Sequence, residues 1–303
     1  MTETLRIAAV FATMNRAATA VACVRALAGQ TRPPELVVVA DNVSGDGTVA
    51  ALEALEGLPF ELVIRRMREN RGNAGGVEEA MDMAFARGVD AVWILDDDSW
   101  PREGALAALL DPPWDPKVVR HALQIDPRTG RFTWPLQVAD GSGGWRLVES
   151  LDGMPAGDRV RSRIIWTGAM VSREVRAAVG PVNGELFIRG EDEEYPWRIE
   201  QAGFAQEAVR HSLMDHPGPE HIVRWRLLGK HLFFERGLAD WKLYYKVRNM
   251  VWLKRRQAGR TRALAMALSY AIASGWLDGP RRLALVWRAS WDGWRGKLGK
   301  WNG

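Results

Sequence analysis

AVWILDDD, residues 91–98, is a run of five apolar residues that stops at three consecutive carboxylates. The run is short, β-rich and lacks polar alternation, so it predicts a strand over 91–95 buried on both faces. The same pattern recurs toward the amino terminus. ELVVVA at 35–40 is a continuous apolar run ending at Asp41, and residues 5–11 and 60–65 are further strand-like runs. Between them, 16–28, 46–56 and 75–86 carry helical spacing, the second beginning after the turn-like SGDG. Uniformly apolar strands with helices between them predict an α/β architecture, a mostly parallel sheet with helices on both faces.

Beyond the aspartates the pattern loosens. Pro, Gly and Trp are frequent over 111–158, which predicts a lid or loop-rich insertion with short strands. Regular structure resumes at 164–171, followed by helices over 172–179 and 192–202, and the chain past His221 reads as helices. This spacing predicts one α/β domain over 1–221 and a basic, Trp-rich helical region over 222–303. Charge divides at the same place. The last 82 residues hold 18 Lys and Arg against 4 Asp and Glu, whereas the first 221 hold 23 against 33. Eight of the fifteen Trp lie in that basic tail.

Composition removes several classes. With 47% hydrophobic and 26% charged residues among 303, the chain is neither disordered, collagenous nor polytopic. Its one cysteine, Cys23, excludes a disulfide framework and any multi-cysteine metal site. MTETLRIAAVF has no secretory-signal pattern, and the weakly polar run 263–276 spans 14 residues against the roughly 20 a membrane helix needs. A cytoplasmic protein is expected, with peripheral attachment to the inner face of the plasma membrane as the form its tail would allow.

In an open parallel sheet, ligands bind beyond the carboxyl ends of the strands. That rule selects Asp41 and Asn42, the segment NRGNAGG at 70–76, and Asp96–Asp97–Asp98. Asp41 can accept hydrogen bonds from a base or ribose, and the small residues of GNAGG would let backbone N–H groups approach a phosphate. Three adjacent carboxylates repel one another, and Mn2+ or Mg2+ bridging them to a diphosphate would neutralise them. The plainer reading is a solvated turn or helix cap. The first loop, FATMNR at 11–16, lacks the glycines of a dinucleotide fold, and no P-loop ending is present, which disfavours dehydrogenases and P-loop kinases.

Taken in order, FATMNR, VVVADNVSGDGT, ENRGNAGG, WILDDD, WTGAM and LFIRGEDEEYPWRIEQAGF resemble the family 2 glycosyltransferases, whose fold is GT-A, over residues 5–216. LFIRGEDEEY followed by DHPG and YYKVRN is similar to the bacterial galactofuranosyl- and rhamnosyltransferases. The resemblance implies a Rossmann-like GT-A domain with a helical carboxy-terminal extension. It implies inverting, metal-dependent transfer of galactofuranose or rhamnose from a UDP- or dTDP-linked donor. The acceptor would be a glycan or polyprenyl-linked glycan of the cell envelope.

Carried over by position, the resemblance assigns Thr13, Arg16 and Asp41 to the base and ribose and Asn73 to the nucleotide or sugar. Asp96 and Asp98 become the DxD carboxylates, with Asp97 beside them at the nucleotide and Asp98 on the metal. His216 completes the metal site. Asp192 is the expected base, with Glu191 as the competing alignment, while Glu193 is solvated surface and Glu194 contacts acceptor hydroxyls. Trp166 either stacks on the acceptor or fills the core. His121, His211, His221 and His231 carry no ligand role.

Two rivals share the fold: a noncatalytic nucleotide-sugar-binding or scaffold protein, and a nucleotidyltransferase, which usually has a glycine-rich first loop. Trp276, Trp287, Trp291, Trp294 and Trp301, interleaved with Arg and Lys, suit an anionic membrane surface. The same helices could instead cap the sheet or make a homo-oligomer contact. Nucleic acid is disfavoured because the acidic body would repel it.

Overall fold

The structure, a computed structural model, describes residues 5–163, 165–219, 221–227 and 230–303, with backbone alone at 224–227 and 230–233. Ile164, which opens an expected strand, and the His231 side chain lie outside the described residues. The chain divides into two compact units, residues 1–183 with 192–218, and residues 184–191 with 219–303.

The first unit begins with a parallel block. β1 (Ile7–Thr13), β2 (Leu36–Asp41), β3 (Glu61–Arg66) and β4 (Ala91–Ile94) lie in the order β3-β2-β1-β4. Helices α1 (Ala17–Ala28), α2 (Thr48–Glu53) and α3 (Gly72–Ala86) make the connections. β1, β2 and β4 are buried at every position, as their apolar runs require. Phe11, Leu27, Val39, Leu52 and Trp93 are among the fully buried side chains of this core. β3 is the edge strand, and its Glu61, Arg65 and Arg66 face water.

α3 starts three residues earlier than its spacing predicts, and two asparagine side chains hold the backbone N–H groups at its start. Asn42 Oδ1 accepts from Arg71 N–H at 3.0 Å and Asn70 Oδ1 from Gly72 N–H at 2.8 Å. Gly75 and Gly76 thus fall inside the helix. A Cβ on Gly76 would lie 2.6 Å from Ala12 Cβ and 2.9 Å from Asn42 Nδ2, so its small size lets α3 press on β1. Of the glycines expected to clear a path to a phosphate, Gly76 serves this helix–strand contact, while a Cβ on Gly75 would lie 2.6 Å from Arg71 Cβ.

After β4 come β5 (Trp100–Pro101), α4 (Ala105–Leu109), β6 (Val118–Ile125), β7 (Leu136–Ala139), β8 (Trp145–Val148), β9 (Arg159–Arg163) and β10 (Ala169–Ser172). α5 (Arg173–Val179), α6 (Glu191–Gln201) and β11 (Ala205–Asp215) follow. The sheet continues β4-β10-β6-β11-β9-β7-β8, with β10 antiparallel to both neighbours and β11 parallel to β6. The stretch expected as a loop-rich insertion therefore contributes a central strand, β6. Its apolar pattern is interrupted by Arg120 and His121, and both are buried. The Arg120 guanidinium donates to the carbonyls of Leu109 (2.9 Å), Asp111 (2.7 Å) and Pro113. His121 Nε2 lies 2.6 Å from Ser162 Oγ and Nδ1 3.3 Å from the Ala122 carbonyl. Both terminal guanidinium nitrogens of Arg120 and both ring nitrogens of His121 are thus matched, which is what allows these side chains inside the sheet.

Burial pushes the His121 pKa down from 6.5 to about 3. The unfolded chain therefore binds this proton first, so the stability His121 leaves intact above its unfolded pKa is lost as pH falls toward about 3. Urea unfolding should show a loss on the order of 1.4 kcal/mol per pH unit within that window from this group. His121→Asn should remove that slope. An unchanged slope would show that another group governs acid unfolding.

In the second unit, a hairpin of β12 (Ile222–Leu227) and β13 (Lys230–Glu235) precedes α7 (Asp240–Leu277) and α8 (Leu283–Arg295). The tail expected to be wholly helical thus opens on strands, and IVRWRL does carry the period-2 alternation of one. Gly293 lets α8 approach α7 closely, since a Cβ there would sit 2.2 Å from the Arg248 carbonyl oxygen.

Candidate active site

β1 and β2 pair through Thr13 and Asp41 at their carboxyl ends, and β4 stops just before the aspartates. Leu95 N–H donates to the Val10 carbonyl at 2.9 Å, which carries the chain from β4 into the triplet alongside β1. The three carboxylates then separate. Asp97 accepts Thr13 Oγ1–H at 2.7 Å and Arg16 Nη1–H at 3.2 Å. Burial drives its pKa up to about 6 despite those partners. Asp98 accepts from Arg16 at 2.5 Å, and Asp96 accepts Thr167 Oγ1–H at 2.6 Å.

His216 follows β11 and closes the group. Its backbone N–H donates to Ile125 at 2.9 Å, and its carbonyl accepts Thr133 Oγ1–H at 2.8 Å. Nδ1 stands 3.0 Å from the Pro217 carbonyl. A carbonyl only accepts, so Nδ1 carries the proton and Nε2 faces the carboxylates, 3.5 Å from Asp96 and 3.6 Å from Asp98. Burial opposes the imidazolium, but the hydrogen bond to Asp96 and the charges of both aspartates outweigh it, raising the His216 pKa. Asp96 is lowered in turn, since His216 and Thr167 overcome the effect of its own burial.

Ligand atoms of Asp96, Asp98 and His216 lie within 4.8 Å of one another. Two hard carboxylates with one imidazole and no sulfur form a donor set suited to Mn2+ or Mg2+. Arg16, which bonds both Asp97 and Asp98, is about half exposed. Cys23 is not a competing ligand, because burial pushes its thiol pKa well up and its Sγ lies 3.8 Å from the Asp96 carbonyl.

Other expected residues play parts in the loops around this group. Asp41 is fully buried, and its carboxylate accepts Ser44 N–H at 3.1 and 3.3 Å, closing the turn after β2. Asn73 lies in the first turn of α3. Trp166 is only 5% exposed and packs edge-on against Tyr195, with ring centroids 6.0 Å apart. Its indole is a wall of the core more than an open platform.

The acidic cluster at the head of α6 splits. Asp192 is exposed and Glu191 buried. Glu193, expected on the solvated surface, is half-buried. Both Glu194 oxygens are held by Arg198, at 2.7 and 3.0 Å, and Arg198 also donates to the carbonyls of Val179 and Pro181. Glu194, expected to meet acceptor hydroxyls, is thus clamped as part of the framework.

Two features were not anticipated from sequence. Thr167 links the WTGAM strand to Asp96, and it is itself positioned by Gln124, whose Nε2 donates to the Thr167 carbonyl at 2.9 Å. Gly168, at φ 91°, allows this turn with its N–H donating to Ile94 at 2.7 Å. Within the second unit, Asn249 Nδ2 lies within hydrogen-bond reach of the carbonyls of Leu186 (2.9 Å), Ile188 (3.0 Å) and Arg189 (2.6 Å), and Arg248 donates to those of Glu185 and Leu186. These buried side chains clasp a loop in which Phe187 and Arg189 hold positive φ. Arg248 and Asn249 of the YYKVRN motif thus hold the backbone of residues 185–189.

Residues 9–179 match the family model described as glycosyl transferase family 2. The chain is similar to galactofuranosyltransferase GlfT1 of Mycobacterium tuberculosis, with 31% identity over 183 residues, 58% of this chain and 59% of that protein. The corresponding protein of Mycolicibacterium smegmatis is 28% identical over 212 residues, 67% of this chain and 68% of that one. The match to the first thus spans less than two-thirds of its length. Among solved structures, the mannosyltransferase PcManGT of Pyrobaculum calidifontis, in complex with GDP-Man and Mn2+, superposes with a TM-score of 0.54 and 20% identity, covering 95% of this chain and 74% of that one. S. aureus TarS 1-349 in complex with UDP-GlcNAc gives 0.57 at 15%, covering 94% and 79%. Likeness at this level shows the shared GT-A fold.

Proposed function

Since the chain belongs to glycosyl transferase family 2, we propose that it transfers a sugar from a nucleoside-diphosphate donor to an acceptor hydroxyl, with inversion. The observation that carries this reading is the convergence of Asp96, Asp98 and His216 beside Thr13 and Arg16, at the strand ends where α/β sheets bind ligands. Asp96, Asp98 and His216 would hold Mn2+ or Mg2+, which when bound offsets the negative charge gathering on the leaving diphosphate. Thr13 and Arg16 fix the triplet through Asp97 and Asp98, and Thr167 fixes Asp96. Asp41 and Asn73 shape the nucleotide end.

Asp192, the exposed carboxylate of the cluster, takes the acceptor hydroxyl proton as that oxygen bonds to the anomeric carbon. The bond from that carbon to the diphosphate oxygen breaks on the opposite face. Buried Glu191 is less able to meet an acceptor. Similarity to galactofuranosyltransferases favours a UDP-galactofuranose donor, with dTDP-rhamnose second, and a glycan or polyprenyl-linked glycan acceptor in cell-envelope synthesis at the cytoplasmic face.

A panel of nucleotide sugars, assayed for release of nucleoside diphosphate with Mn2+ and after chelation, tests the reading. Release from UDP-galactofuranose that chelation abolishes is expected. Tight nucleotide binding with no turnover of any donor and acceptor would instead establish a noncatalytic binding protein.

A further inference from the structure

The second compact unit carries an apolar surface that its own fold leaves uncovered. Gly259, at φ 82°, interrupts α7. Past this break the helix buries Ala263, Ala267, Tyr270, Ala273 and Ser274. Leu264, Leu268, Ile272 and Trp276 recur every four residues and are 60%, 54%, 57% and 82% exposed. Residues at this spacing share one helix face, so the four form a stripe and not scattered exposure. On α8, Trp287 and Trp291 are 58% and 60% exposed, and the Arg295 guanidinium lies 5.9 Å from the Trp291 ring. A stripe of large exposed apolar side chains of this kind marks a docking face.

Charge selects the partner. Arg260, Arg262, Arg281, Arg288 and Arg295 are exposed along the same stretch. Its two acids are engaged internally: Asp278 accepts from Gly237 N–H and Arg282, and Asp292 is buried against the Tyr244 hydroxyl. A second copy, docked about a twofold axis, would set one cationic face against another. An anionic bilayer instead takes Leu, Ile and Trp into its interface and draws the arginines to its headgroups. No described helix is long and apolar enough to cross a membrane, which fits helices lying along one.

We propose that this α7–α8 surface docks the protein on an anionic lipid bilayer through Leu264, Leu268, Ile272, Trp276, Trp287 and Trp291. The inference goes beyond sugar transfer and does not rest on it, because vesicle binding is read without turnover. The full chain is mixed with vesicles of phosphatidylcholine alone, or of phosphatidylcholine with phosphatidylglycerol, and floated on a density gradient. Flotation with the anionic vesicles, fading as salt rises, is expected. A Leu268→Ser, Ile272→Ser, Trp276→Ser variant should bind them roughly tenfold more weakly or worse, with an unchanged circular dichroism spectrum. Trp276→Ser alone, at the most exposed position, should show a smaller loss and guards against misfolding of the triple variant. Wild-type protein that fails to float, or a triple variant that floats equally well, would overturn the proposal. So would a wild-type dimer in sedimentation velocity that the triple substitution dissolves, which would assign the stripe to a second copy.

Discussion

Asp98→Asn is expected to lower the rate of sugar transfer by about 10²–10³-fold at saturating donor, the effect of removing an electrostatic stabiliser of a developing anion. Asp98 is singled out because it accepts from Arg16 at 2.5 Å and faces Nε2 of His216 at 3.6 Å. Converting it to an amide leaves the volume intact and removes a charged oxygen from the ligand set. The Mn2+ concentration for half-maximal rate should rise as kcat falls. Unfolding midpoints should change little, since Asp98 is partly exposed. His216→Ala should reproduce the shift in metal dependence, and Thr167→Val a weaker version through Asp96. A variant Asp98→Asn with wild-type kcat and wild-type Mn2+ dependence would remove Asp98 from the reaction.

Asp192→Asn should lower kcat by about 10²–10⁴-fold, the usual worth of a positioned general base, while leaving the donor's dissociation constant unchanged by calorimetry. The two carboxylates that head α6 differ in environment, and that difference makes them separable. Asp192 faces solvent, whereas Glu191 is buried. Glu191→Gln should therefore lower stability more than turnover. The reverse pattern, with Glu191→Gln abolishing transfer and Asp192→Asn leaving kcat intact, would move the base to Glu191.

The parallel block was legible in sequence because β1, β2 and β4 are buried on both faces and so read as unbroken apolar runs. The end of β4 just before the triplet, and hence the place of the candidate site, followed from that pattern. β6 was hidden because Arg120 and His121 find their partners outside the strand, at Leu109, Asp111, Pro113 and Ser162. No local pattern encodes such matching. β12 went unread although its alternation was visible, because the basic and aromatic composition around it suggested amphipathic helices.

At the site, the pairing of His216 with Asp96 and Asp98 was anticipated from resemblance, and it spans more than a hundred residues of sequence. Thr167 was missed because a threonine in an apolar run has no signal until its partner carboxylate is placed beside it. Glu194 looked available for the same reason in reverse. Its partner Arg198 stands one helical turn on, an i,i+4 pair that the sequence does contain.

The most direct measurement is a manganese anomalous difference map from crystals grown with Mn2+ and a nucleoside diphosphate. A single peak bonded to the carboxylates of Asp96 and Asp98 and to Nε2 of His216 is expected. Nucleotide bound with no peak at these three residues, or with manganese held elsewhere, would contradict a metal-centred transfer site at the end of β4.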